Sequence, residues 1–173
     1  MDHVARGSRR SINRPAGYTR LQIRLHWIVA AIVALQFLLN EPISRAWDAF
    51  VHGATVSFDP LVALHVAGGL LIAGLAVWRL ALKARRGPPR PPEGEPRPLV
   101  AAANVTHLAL YALLLLMPLS GAVAWFGGVE PAAEAHEAFK VALLALVGLH
   151  VVAALFHHFV LKTDVMRRMW RPA

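Results

Sequence analysis

Four apolar stretches dominate this chain of 173 residues, running from about residue 21 to 40, 61 to 82, 99 to 126 and 135 to 161. Each is close to or above the roughly 20 residues a helix needs to cross a ~30 Å hydrocarbon core. Inside a bilayer every backbone polar group must be satisfied within the segment itself, so apolar runs of this length are read as helices. The expected fold is all-α, an integral membrane four-helix bundle. A mean hydropathy of +0.49 with 57% apolar residues fits that class. Pro118, followed by Gly121, interrupts the third stretch, where a kink or local break is expected.

The connections divide the chain further. Residues 84–98 read ARRGPPRPPEGEPRP, which cannot be helical throughout because proline removes a donor and clashes with the preceding turn. Residues 41–60 carry Glu41, Asp48, Asp59, Trp47 and Phe50 and have room for a short interfacial helix. About eight residues around Gly127 and Gly128 join the last two stretches, which makes those helices antiparallel neighbours. The domain reading is a basic cytoplasmic tail over 1–17 and a transmembrane domain over 18–170.

A formal charge of +8 could signal nucleic acid, so its distribution decides. Sixteen of the 18 basic residues fall in the N-terminal tail through Arg24, in the segment from Arg79 to Arg97, and from Lys162 onward. Four spans put those three segments on one side, with four acids, for a net +12. The other side holds two basic residues, Arg45 and Lys140, against six acids, for a net −4. The positive-inside rule then places both termini in the cytoplasm. The basic excess is a topology signal and leaves no nucleic-acid partner expected. Twenty hydrophilic residues precede the first apolar run with no clean cleavage site after it, so a cleaved signal peptide is not expected.

With no cysteine, the chain has no disulfide, no thiolate nucleophile, no cysteine-held iron–sulfur cluster and no c-type haem attachment. Histidine is in surplus instead. Seven of nine lie in or beside the apolar stretches: His26, His65, His107, His136, His150, His157 and His158. Ionisable residues within spans are costly, which makes each a functional candidate. A single membrane histidine can simply hydrogen-bond another helix. A set on all four helices suits a metal or a haem, both of which take neutral imidazole.

Spacing separates those options. His136 and His150 are 14 residues apart on the fourth stretch. Helical rise puts them about 21 Å apart and only ~40° apart in direction, too distant for one metal but suited to two stacked haems. By depth, His65 pairs with His136 near the outer side. His26, near the cytoplasmic side, has His150, His157 or His107 as partner, and depth alone slightly favours His157.

The segments YTRLQIRLHW at 18–27, ALHVAGGLLIAGLAVWRLAL at 63–82, THLALYALLLLMPLSG at 106–121 and AHEAFKVALLALVGLHVVAALFHHFVLK at 135–162 resemble the bacterial cytochrome b561 family of dihaem membrane cytochromes. A more distant similarity extends to the cytochrome b subunits of formate dehydrogenase and nickel–iron hydrogenase. The resemblance implies two haem b groups whose iron is held by His26 with His150 and by His65 with His136. It leaves His107, His157 and His158 near the cytoplasmic haem, where a quinone site is expected, with Tyr111 a further candidate there. Gly68, Gly69 and Gly148 suit close approach of a porphyrin, although small residues also pack membrane helices. Arg20, Arg24 and Arg79 can meet haem propionates or lipid phosphates, with Arg79 the preferred propionate partner. Trp27, Trp78, Trp125 and Trp170 read as interfacial belt residues.

The implied function is electron transfer across the bacterial inner membrane between a periplasmic donor or acceptor and the pool of ubiquinone or a related quinone. Family members include a superoxide:ubiquinone oxidoreductase, so superoxide is a candidate substrate. An outer face of net −4 steers an anion poorly, apart from Arg45 and Lys140. The alternatives are a membrane-anchor subunit relaying electrons for a soluble dehydrogenase or cytochrome, and a histidine-lined metal transporter. Membrane lipids are the remaining expected partners.

Overall fold

The structure, a computed structural model, describes residues 15–173. Most of the expected basic tail, and His3 with it, lies outside the described residues.

Five α-helices and one short 3-10 turn, with no strand among the described residues, build the chain. Helix α1 spans Arg20–Leu38, α2 Asn40–Val51, α3 Pro60–Arg86, α4 Arg97–Gly127 and α5 Glu130–Phe159. All but α2 are long and apolar enough to cross a membrane. The expected all-α bundle of four spans is what the chain forms.

Local chemistry sets the helix starts. Thr19 caps α1 through a reciprocal box with Gln22, which satisfies two otherwise orphaned donors. Asp59 caps α3 by accepting from the Leu61 amide at 2.7 Å. Helices α3, α4 and α5 each carry proline in the first turn, where its missing N–H costs nothing.

Three expectations meet the structure here. The segment 41–60 does contain a short helix, α2, whose polar and apolar residues segregate onto different faces. Helix α4 runs unbroken through Pro118, so the anticipated break does not occur. The link between the last two spans is also shorter than the sequence suggests. Only Gly128 and Val129 separate α4 from α5, because Gly128 ends α4 in the left-handed conformation and the polar residues after it already begin α5.

Helix α1 packs on α3, α3 on α4 and α4 on α5. The small interior is made by Ile23, Leu25 and Val29 of α1, Val62, Ile72 and Ala76 of α3, Leu113 and Ala124 of α4, and Leu143 of α5. Large apolar side chains such as Leu108, Val152 and Phe159 point outward, as expected of surfaces that meet lipid. The helices leave their mutual interior incompletely filled, and among the described residues no large side chain is fully enclosed.

The bundle has two distinct ends. At the basic end, where α1 begins and α5 finishes, the C-terminal segment folds back over the helices. The Trp27 indole donates to the Met169 carbonyl at 2.9 Å and its ring lies 4.5 Å from that of Trp170. The Ala173 amide donates to the Tyr18 carbonyl, and Arg168 donates to the Arg90 carbonyl in the α3–α4 loop. Trp27 and Trp170, expected as independent belt residues, therefore stack on each other. At the opposite, acidic end, α2 forms part of the α1–α3 connection, and Phe50 sits beside Gly128.

Candidate functional site

The half-buried histidines gather in two groups. At the acidic end, His65 of α3 and His136 of α5 face each other with ring centroids 6.4 Å apart. At the basic end, His26 of α1 and His150 of α5 are 6.3 Å apart. Neither α1 with α5 nor α3 with α5 is among the closely packed helix pairs, so each ring pair spans a space between backbones.

The acidic-end group lines a cavity with Gln36, Asn40, Gly69, Met117, Pro118, Lys140 and Leu143. One helical turn of α4 holds the His136 ring. Its Nδ1 lies 2.9 Å from the Met117 carbonyl and donates to it, and the Ser120 hydroxyl donates to the same oxygen. A proton fixed on Nδ1 leaves Nε2 as the free lone pair, the usual way a carbonyl orients a metal-binding imidazole. Gly121 is what lets the ring lie there. A Cβ at that position would stand 3.0 Å from two atoms of the His136 ring.

Gln36 of α1 reaches the other ligand candidate, donating from Nε2 to the His65 backbone carbonyl at 2.7 Å. Its amide rests on Gly68, where a Cβ would come within 3.1–3.3 Å of three of its atoms. Gly68 thus makes room for Gln36, whereas Gly69 faces the cavity, and Gly148 has open space around it. Lys140 points into this region, donating to Asn40 Oδ1 at 3.1 Å and pairing with Glu137.

The basic-end group is richer in charge. Arg79 Nη2 lies 3.2 Å from His26 Nδ1. The guanidinium of Arg79 and the ammonium of Lys83 lie 5.7 and 5.3 Å from the centroid of the Tyr111 ring. Such cation–aromatic contacts hold both cations at the mouth of the group. The His107 ring lies 5.4 Å from that of His150. Burial pushes the pKa of the Tyr18 phenol up, with Tyr111 acting the same way, so it remains a protonated donor beside these groups.

Of the three partners left open for His26 by spacing, His150 is the one whose ring faces it. His157 is engaged elsewhere. Its Nε2 lies 3.4 Å from Glu95 Oε1, both side chains largely enclosed, and its Nδ1 lies 3.3 Å from Thr163 Oγ1. His158 is exposed and stacks edgewise on Phe159. Arg20 and Arg24 are exposed on the first turns of α1. Sequence reasoning missed Gln36, Met117, Ser120, Lys83, Glu95 and Tyr18. A polar Gln36 within an apolar run was the one signal that could have marked them.

These residues fit haem. A metal held at about 2 Å by one nitrogen of each of two imidazoles sets their ring centroids roughly 6 Å apart, and both pairs have that separation. The unfilled space between the paired helices, the cavity beside Gly69 and the histidine donor set all suit a flat tetrapyrrole. Among the described residues no three metal-binding side chains converge on one point.

Residues 17–172 match the prokaryotic cytochrome b561 family. The chain is 39% identical to cytochrome b562 of Cereibacter sphaeroides, over 90% of this chain and 96% of that protein. It is 32% identical to the probable superoxide oxidase CybB of Yersinia pestis, over 88% and 94% respectively. It is 28% identical to cytochrome b561 homolog 1 of Escherichia coli K12, over 88% and 96%. The chain belongs to the prokaryotic cytochrome b561 family, haem b electron-transfer proteins that cross the bacterial inner membrane several times.

Proposed function

We propose that the protein carries two haem b groups, one at each end of the bundle, and moves electrons between an outer one-electron partner and the quinone pool. The observation that carries this reading is the pair of facing imidazoles at each end, with both α5 members on one helix. Haem b held by two imidazoles supplies outer-sphere electron transfer, with no open iron position for oxygen. The basic end faces the cytoplasm by the positive-inside rule, so both termini are cytoplasmic.

Each end has residues suited to its task. At the acidic end, Lys140 is the cation beside the His136 ligand, and it is what an anionic donor would meet. Superoxide is therefore the proposed donor, in keeping with the name of the Yersinia pestis relative. At the basic end, His107 and Tyr111 border the His26–His150 pair and are the quinone-binding candidates. Quinone reduction consumes two protons, and His157 with Glu95 offers titratable groups at that end to deliver them. His158, exposed on the outer surface of α5, is the weakest of the quinone candidates.

The acidic outer side favours a second reading, in which a basic soluble redox protein is the outer partner and the chain serves as its membrane anchor. Enzymatically generated superoxide, added to the oxidised holoprotein with ubiquinone, distinguishes the two. Direct donation predicts haem reduction without any partner, slowed several-fold in K140Q and less so at high salt. No haem reduction by superoxide would favour the relay.

A further inference from the structure

Among the described residues, two buried side-chain polar atoms lack a hydrogen-bond partner: Oε1 of Gln36 and Nδ1 of His65. One is an acceptor without a donor. The other, in an imidazole that would hold iron through Nε2, is a donor without an acceptor. Both residues line the same cavity.

They are already joined through the backbone. Gln36 Nε2 donates to the carbonyl of His65 itself, at 2.7 Å. That bond also fixes which way the amide faces, because a carbonyl can only accept, so the nitrogen must point at it and the oxygen away. The amide is seated against Gly68, where any Cβ would crowd it, and a Cβ at Gly69 would stand 3.5 Å from its nitrogen. A glutamine held in an apolar span, with a glycine step cleared for it, has a task beyond filling space.

We propose that Gln36 is the positioning residue of the acidic-end haem ligand, its Oε1 accepting the Nδ1 proton of His65. This inference rests on the dihaem reading above. It makes the two ligands of that pair alike: His136 gives its Nδ1 proton to the Met117 carbonyl, and His65 gives its own to an amide oxygen from α1. An acceptor on Nδ1 sets the ring's rotation and makes it a stronger donor to iron. Helix α1 would then shape the acidic-end site without supplying a ligand to it.

The test is a redox titration of the holoprotein and of its Q36L and Q36E variants, with the spectra of the two haems followed separately. Both variants remove the Nε2 bond to the His65 carbonyl. Only Q36E keeps an acceptor, and a stronger one. At fixed ambient potential, the reduced-to-oxidised ratio of the acidic-end haem should rise several-fold in Q36L and fall several-fold in Q36E. The other haem should not move in either.

Shifts in the same direction, or none, would mean that Gln36 merely anchors α1 to α3 and would overturn the proposal. If Q36L does not load that haem, loading in Q36E with a lowered ratio supports the role, and failure of both variants overturns it. A wild-type chain with no haem at the His65–His136 pair would instead sink the dihaem reading, and this role with it.

Discussion

Replacing His150 with alanine should remove one of the two proposed haems and leave the other, whereas replacing His157 with alanine should remove neither. The contrast follows from what each ring touches. His150 faces His26 across the space between α5 and α1 and has His107 on its other side. It is therefore the α5 residue able to complete a bis-imidazole pair there. His157 is held between Glu95 and Thr163, turned toward the α3–α4 loop and the C-terminal segment. On the proposed ligation, loss of His150 would leave that haem held by His26 alone, so the H150A protein should purify with half the haem of the wild type. H157A should keep its full haem content and instead lose part of its quinone-reduction rate. Haem per chain, measured as the pyridine haemochrome, checks the first point, and turnover with added quinone checks the second. Full haem in H150A together with half in H157A would reverse the assignment of the pair.

Substituting Gly121 with valine should empty the acidic-end site while leaving the basic-end haem in place. The Cβ alone would stand 3.0 Å from Cε1 and Nδ1 of His136, and valine adds two methyl groups to it. The ring is the element that must give way, because the opposing surface is the α4 backbone. Its departure breaks the Nδ1 bond to Met117, a loss of about 1 kcal/mol for an ordinary hydrogen bond, and moves Nε2 off the line to His65. Ligand geometry tolerates little displacement, so the larger consequence is loss of haem binding. G74A is the matched control. A Cβ there meets nothing within 4 Å, and the variant should load two haems. Two haems in G121V would show that the packing of Gly121 against His136 does not matter to ligation.

How far the sequence foretold this arrangement depended on the kind of signal. The four spans were legible because length and apolarity alone decide them, and the three first-turn prolines mark where three of them start. That His65 and His136 come to face each other was legible too, since both lie near the starts of two spans that run in the same direction. The partner of His26 was not. His150 and His157 are seven residues apart, which turns them to within ~20° of the same direction, so neither face nor depth discriminates strongly. What separates them is Glu95, reaching over from a proline-rich loop whose path no periodicity describes.

Gln36 and Gly121 were opaque for a related reason. Each acts on a histidine of a different helix, through a backbone carbonyl or through space left vacant, and such contacts leave no spacing pattern along the chain. The polar start of α5 misled in the opposite way. Glu130 and Glu134 look like loop residues, yet an acid in the first turn favours a helix through the macrodipole, and α5 begins at Glu130.

The count of haem in the purified protein tests the central claim most directly. Dithionite-reduced protein in detergent should show the absorption bands of haem b, and the pyridine haemochrome should give two per chain, falling to one in either H136A or H150A. A colourless protein, or a wild type with a single haem that survives both substitutions, would contradict the account.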